Sequence, residues 1–158
     1  MSVSSIEHRL VHALRTQKTT LATAESCTGG LIGHRITTVS GASECYVGGV
    51  IAYSNEVKIR LLGVDENTLR LHGAVSDLVA KEMASGVRNV FQADWGIGVT
   101  GIAGPTGASK NKPVGTVFIA IAGPSKIIGE HHVFHGDRDT VKYQTSERAL
   151  QMLWEILA

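Results

Sequence analysis

The chain predicts an α/β domain with helices on both faces of a mixed, mostly parallel sheet, a three-layer α/β/α arrangement. Two observations carry this expectation. Short runs rich in Val, Ile, Ala and Thr alternate with amphipathic helical segments, the pattern of βαβ units. The last strand-like runs instead follow one another without a helix, which predicts a hairpin and so an antiparallel component. With 158 residues, one core suffices, and a single domain over residues 1–158 is expected.

The elements follow in order. SSIEHRLVHALR sets Ile6, Leu10, Ala13 and Leu14 at helical spacing, with Ser4 and Glu7 in the S-x-x-E arrangement of a capping box. TTLATAE reads as a short strand that runs into ESCTGG, and LIGHRITTV continues as a helix. ECYVGGVIAYS is a second strand, giving way at Ser54-Asn55 to the helix VKIRLLGV. Asp65 to Leu71 is a short helix closed by Gly73. SDLVAKEMASGVRNVF then places Ala80, Met83, Ala84, Val87 and Phe91 on one helical face. Strands are predicted at Gly96 to Thr100 and Val114 to Ala122, separated by a loop dense in Gly, Pro, Ser, Lys and Asn that is expected to be mobile. KIIGEHHVFHG supplies a further strand. From Asp137, the spacing of Val141, Thr145, Ala149, Met152 and Ile156 describes a terminal helix.

Composition narrows the function. Fifteen Lys and Arg against fourteen Asp and Glu leave a net charge of +1 with no basic run, so no nucleic-acid partner is expected. Aromatic residues are only 5%, too few for stacking platforms. No signal peptide or long apolar run is present, so a soluble, cytoplasmic protein without membrane association is expected. Cys27 and Cys45 form no CxxC pair and are expected to be reduced. Among seven histidines, His131 and His132 are adjacent on a predicted strand and point to opposite faces. With His135 nearby and no HExxH, no metal site is expected. GPTGASK lacks the Gly-Lys-Ser/Thr order of a P-loop, and no cofactor is expected.

Ligands of α/β sheets bind at the carboxyl ends of strands, where both strand-to-helix junctions lie. At the first, Ser26 is placed to face that edge, with Thr28, Gly29 and Gly30 allowing close approach of a ligand to helix-start N–H groups. The plain alternative is that Ser26 or Thr28 caps the helix and the glycines ease a turn. A serine nucleophile needs a base. If Ser54 caps the second helix, Lys58 is its fourth residue, near the positive end of the macrodipole. Acting near neutrality requires its pKa to fall from about 10.4 to about 7–8, roughly 3–5 kcal/mol, whereas a helix terminus supplies only about 0.3–2 kcal/mol. Burial must supply the rest. Tyr53, at the end of the same strand, can share the pocket and relay a proton or steady an oxyanion. Against this stands the ordinary reading of Lys58 as a solvated charge and Tyr53 as packing.

In VTGIAGP, backbone N–H groups from Thr100 and Gly101 to Gly104 are candidates for an anion nest, or simply a glycine-rich turn. Arg138 binds phosphate or a neighbouring subunit, although Asp137 and Asp139 oppose an anion, or, more in keeping with those neighbours, is half of a surface ion pair. Glu25 orients a helix-start amide or Lys58, or is merely a capping or solvated carboxylate. Cys27 is the rival nucleophile, since helix starts stabilise thiolates, or else a small buried apolar residue.

Six motifs in one order, AESCTGG, AYSNEVK with IRLLGV, HGAVS, VTGIAGP, KPVGTV and FHGDRDTV, span Ala24 to Val141. Together they resemble the CinA carboxy-terminal domain family, specifically its stand-alone nicotinamide-nucleotide amidases. The resemblance implies an amidohydrolase that converts nicotinamide mononucleotide into nicotinate mononucleotide and ammonia in pyridine-nucleotide salvage. It implies a serine nucleophile at Ser26, a lysine base at Lys58 and an assisting tyrosine at Tyr53. The family also contains longer proteins with an additional amino-terminal domain and members without activity, so a non-catalytic nucleotide-binding or competence-associated module is the alternative. GPTGASKNKPVG departs from relatives that carry a second Gly-Gly pair. A homo-oligomer is expected, since small domains with pockets near shared edges often pair.

Overall fold

The protein is described by a computed structural model, in which residues 4–158 are placed. In chain order, helix α1 (Ile6–Gln17) leads into strand β1 (Leu21–Glu25) and helix α2 (Leu31–Thr37). A single 3-10 turn (Ala42–Glu44) precedes β2 (Tyr46–Ile51). Three helices follow, α3 (Asn55–Leu62), α4 (Glu66–His72) and α5 (Asp77–Val90). Then come β3 (Trp95–Gly101), β4 (Thr116–Ala122), β5 (Ile127–Val133) and α6 (Arg138–Leu157).

The sheet order is β2-β1-β3-β4-β5. β1 pairs in parallel with both β2 and β3, while β4 is antiparallel to both β3 and β5, so β4 alone runs against the other four strands. This is the mixed, mostly parallel sheet expected, with β4 and β5 as the hairpin. Alternation along β1 divides the core. Leu21 joins a cluster with Leu10, Leu14, Ile32, Ile36, Leu150 and Leu153 from α1, α2 and α6. Ala22 and Ala24 face the opposite cluster, with Leu62, Val79, Met83 and Val87 from α3 and α5. Because period-two alternation sends neighbours to opposite faces, the sheet is covered on both sides.

Small residues bring α5 close to the sheet: a Cβ at Gly96 or Gly98 would meet the carbonyl oxygens of Ala84 and Ala80 respectively. The consequence is a thin layer in which the carboxyl ends of β1 and β3 lie beside the α4–α5 connection.

Two local expectations are corrected. The N-cap of α1 is Ser5, not Ser4, and there is no capping box: the Ser5 hydroxyl is bonded to His8 Nδ1 at 2.8 Å, and Glu7 instead accepts from Arg35 at 2.8 Å. The strand expected from Val114 begins at Thr116, because Gly115 adopts φ +92° and donates its N–H back to the Ile102 carbonyl.

Candidate active site

Ser26 follows β1 directly, and its N–H donates to the Val99 carbonyl at 3.2 Å, extending the pairing with β3 by one residue. The chain then turns through Gly29 and Gly30 at φ +60° and +102°, conformations that glycine adopts without steric cost. Glu25 locks this turn. Its carboxylate, 2% exposed, accepts from the Thr28 hydroxyl at 2.7 Å and from the N–H groups of Ile32 at 2.8 Å and Gly33 at 3.0 Å. The first turn of α2 is thus already satisfied by an internal anion.

That geometry corrects part of the sequence reading. Thr28 spends its hydroxyl on Glu25, and Thr28, Gly29 and Gly30 do not line the cavity in front of Ser26. Gly30 borders a different cavity, beside Tyr46 and His34.

Glu25→Gln tests the lock. Glutamine keeps one acceptor oxygen, but its amide would set a donor against the Gly33 N–H, leaving a buried group unpaired at a cost of roughly 1–3 kcal/mol. Denaturant unfolding should show that loss. Wild-type stability in the variant would show that the carboxylate does not hold the turn.

The second junction supplies the lysine. Ala52 donates its N–H to the Glu25 carbonyl at 2.8 Å, which ties the end of β2 to the end of β1. Ser54 caps α3 by accepting from Val57 N–H at 3.2 Å, as the spacing predicts, and this places Lys58 as the fourth helical residue. Lys58 is 2% exposed. Its Nζ donates to the Ala52 carbonyl at 2.8 Å and to Ser26 Oγ at 3.1 Å. Among the described residues no carboxylate pairs with it, and burial pushes its pKa below the ordinary lysine value. A weak opposing influence comes from Cys27.

These groups open onto a cavity of about 230 Å³ whose lining includes Ser26, Lys58, Tyr53, Thr100, Gly101, Gly104 and Arg138. The structure therefore brings together six of the nine residues singled out by sequence as catalytic or substrate-binding. Tyr53 stands at the mouth, 65% exposed, and its hydroxyl makes no hydrogen bond among the described residues. Thr100 is buried and donates its hydroxyl to the Ala74 carbonyl at 2.8 Å, fixing the α4–α5 connection as one wall. A side chain at Gly101 would collide with Val117 and crowd Cys27 Sγ.

Arg138 makes no ion pair among the described residues, contrary to the surface pairing expected. Its Nε donates to the Gly104 carbonyl at 2.8 Å, which leaves the guanidinium at the cavity wall. Asn55, Ala74, Val75, Thr106 and Gly107 also line the cavity and were missed. Only Asn55 carried a readable signal, its place directly after the Ser54 cap at the same strand end.

Cys27 lies in the cavity wall, but burial pushes its thiol up to about 12. Among the described residues no group of three or more His, Cys, Asp or Glu side chains is placed to hold a metal ion. His131 stacks on Phe118 and His132 on Phe134, with His132 also bonded to Glu130 at 2.7 Å. No helix is long and apolar enough to cross a membrane among the described residues.

The sequence model of the CinA C-terminal domain matches residues 3–157. The chain belongs to the CinA C-terminal domain family. A CinA-like protein of Syntrophus aciditrophicus is 49% identical over 155 residues, 98% of this chain and 37% of that protein. One from Chlorobaculum tepidum is 48% identical over 154 residues, 94% of this chain and 36% of the relative. The chain thus spans little more than a third of the length of the curated relatives it matches.

Solved structures of similar length share the fold. A competence or damage-inducible protein from Enterobacter asburiae superposes with a TM-score of 0.94 at 31% identity, covering 99% of this chain and 100% of that one. One from Agrobacterium tumefaciens gives a TM-score of 0.90 at 35% identity, covering 99% of each. The CinA fold therefore extends over the junctions that carry Ser26 and Lys58.

Chemically, a serine hydroxyl in contact with a buried amine whose pKa is lowered is the arrangement that a serine nucleophile and its base require. The wall opposite offers a cation, Arg138, and the mouth a phenol.

Proposed function

We propose that this CinA-family domain is a serine amidohydrolase that converts nicotinamide mononucleotide into nicotinate mononucleotide and ammonia. The observation that carries the reading is the 3.1 Å contact between Lys58 Nζ and Ser26 Oγ, with no carboxylate paired to the amine among the described residues. In the neutral form, Lys58 takes the Ser26 proton as Oγ attacks the carboxamide carbon. The tetrahedral intermediate collapses as the lysine ammonium returns that proton to the departing nitrogen, releasing ammonia and leaving an ester on Ser26. A water deprotonated by Lys58 then hydrolyses the ester, and the same proton restores the serine.

Two further groups fit this sequence. Because the Ser26 N–H is committed to Val99, the Tyr53 hydroxyl at the cavity mouth is the side-chain donor that supports an assisting role toward the oxyanion. Arg138 is the cation suited to the substrate phosphate, since its fork retains donors beyond the one given to Gly104.

The test is to incubate pure protein with nicotinamide mononucleotide and measure ammonia and nicotinate mononucleotide together. Equimolar release is expected; no release above the uncatalysed rate between about pH 6 and about pH 9 would leave the chain a binding module. Arg138→Ala should raise KM for the mononucleotide by about ten- to a hundredfold, the scale of a charge-assisted hydrogen bond. Kinetics with nicotinamide riboside, which lacks the phosphate, should change far less, only through the lost bond to the Gly104 carbonyl. Equal effects on both compounds would remove Arg138 from the phosphate site.

A further inference from the structure

One wall of the cavity is a loop, residues 102–115, that contributes Ala103, Gly104, Thr106 and Gly107 to the lining. Its base is closed by Ile102 N–H to the Thr116 carbonyl and Gly115 N–H to the Ile102 carbonyl, both at 2.8 Å. Near its tip, Ser109 N–H donates to the Lys112 carbonyl at 2.9 Å and Lys112 N–H to the Ser109 carbonyl at 3.3 Å. The facing wall is Ala74 and Val75, just after α4.

α4 itself has no buried residue. It is held to α5 by half-buried Leu69, which packs against the cluster of Val79, Met83 and Val87, and by Glu82, which accepts from the Thr68 hydroxyl at 2.8 Å and from Asp65 N–H at 3.1 Å. Ala74 is held by the Thr100 hydroxyl and Gly104 by Arg138 Nε, and from the tip of the loop to the end of α4 Lys112 Nζ donates to the His72 carbonyl at 2.8 Å. His72 is the last residue of α4, so its carbonyl has no intrahelical partner and lies at the negative end of the helix, where an ammonium is favoured. Gly73, at φ +77°, turns the chain away there, and a Cβ at that position would come within 3.4 Å of the ammonium.

We infer that Lys112 is a positioning residue, whose ammonium latches the 102–115 loop to the end of α4 and so sets the width of the catalytic cavity. It touches neither Ser26 nor Lys58 and acts through Thr106 and Gly107. Only its consequence for turnover rests on the amidase reading; the latch itself is a property of the unliganded chain.

Lys112→Met keeps the apolar stem and removes the donor. Amide hydrogen exchange of residues 103–111 in the unliganded protein should then quicken by about three- to tenfold, the weight of one such bond. With nicotinamide mononucleotide, KM should rise by a similar factor while kcat stays within about twofold, because the closed population falls and the chemistry is untouched. Lys112→Arg should restore both values. Lys110→Met, on the same exposed loop and without a hydrogen bond among the described residues, should change neither.

Exchange in Lys112→Met as slow as in wild type, or a loss confined to kcat, would overturn the latch. So would an equal effect from Lys110→Met. If wild-type protein does not turn over the mononucleotide, the amidase reading fails, and the exchange rates alone decide the latch.

Discussion

Lys58→Met should lose ammonia release by about 10³-fold or more at every pH, because among the described residues Lys58 is the one side chain hydrogen-bonded to Ser26 Oγ and the serine is left without a base. Wild-type kcat/KM should fall about tenfold per pH unit below the lowered Lys58 pKa, as the amine takes up a proton and ceases to be a base. Lys58→Arg should be nearly as inactive, since a guanidinium holds its proton throughout this range.

The same shift makes a stability prediction whose sign is determined. Burial lowers the folded-state pKa of Lys58 below its ordinary value of 10.5, so between the lowered value and 10.5 the unfolded chain binds more protons at this group than the folded chain. Stability from this group therefore falls as pH drops through that window, and the penalty is complete below it. Methionine has no such dependence. The melting temperature of Lys58→Met minus that of wild type should shrink steadily as pH rises across the window. The offset itself also reflects the Ala52 carbonyl, which loses its donor. A difference that stays constant with pH would show that the pKa of this amine is not lowered, and a Lys58→Met enzyme with wild-type turnover would show that the amine is not the base.

What the sequence made legible here is local. Ser54 announces the start of α3 by its own side chain, and counting four residues from it finds Lys58; the two strand ends that carry Ser26 and Tyr53 are marked by β-branched and small residues giving way to turn formers. Apart from the start of β4, which the Gly115 backbone sets, the errors involve a side chain that reaches across elements. Glu25 binds N–H groups seven and eight residues away, and nothing in ESCTGG shows that the carboxylate, not a ligand, fills the start of α2. The spacing of Ser4 and Glu7 points to a capping box, but Arg35, from α2, takes the Glu7 carboxylate and α1 starts after Ser5. Arg35 is itself buried, bonded to Glu7, Glu147 and Ser146 and stacked on Tyr143, a network drawn from three helices. Arg138 faces the cavity because Val141, Thr145 and Ala149 set the rotation of α6 against the sheet. That rotation depends on packing, which one segment cannot encode.

Two nucleophiles stand side by side in the cavity wall, and Ser26→Ala should be inactive, down by about 10³-fold or more, whereas Cys27→Ala should keep turnover within about threefold of wild type. Three features separate them. Lys58 Nζ is bonded to Ser26 Oγ and makes no hydrogen bond to Cys27. With its pKa pushed up to about 12 by burial, the Cys27 thiol stays protonated near neutral pH, which removes the usual kinetic advantage of a cysteine. The helix start that would stabilise a thiolate is occupied by the Glu25 carboxylate, whose charge raises the thiol further. Cys27→Ala should therefore cost only the packing of a sulfur against the neighbourhood of Gly101, roughly 1 kcal/mol in denaturant unfolding. Iodoacetamide should label Cys27 in folded protein far more slowly than a free thiol, and a fluorophosphonate probe should label wild type and Cys27→Ala but not Ser26→Ala. An inactive Cys27→Ala beside an active Ser26→Ala would transfer the nucleophile to the thiol and leave the contact between Lys58 and Ser26 without a catalytic purpose.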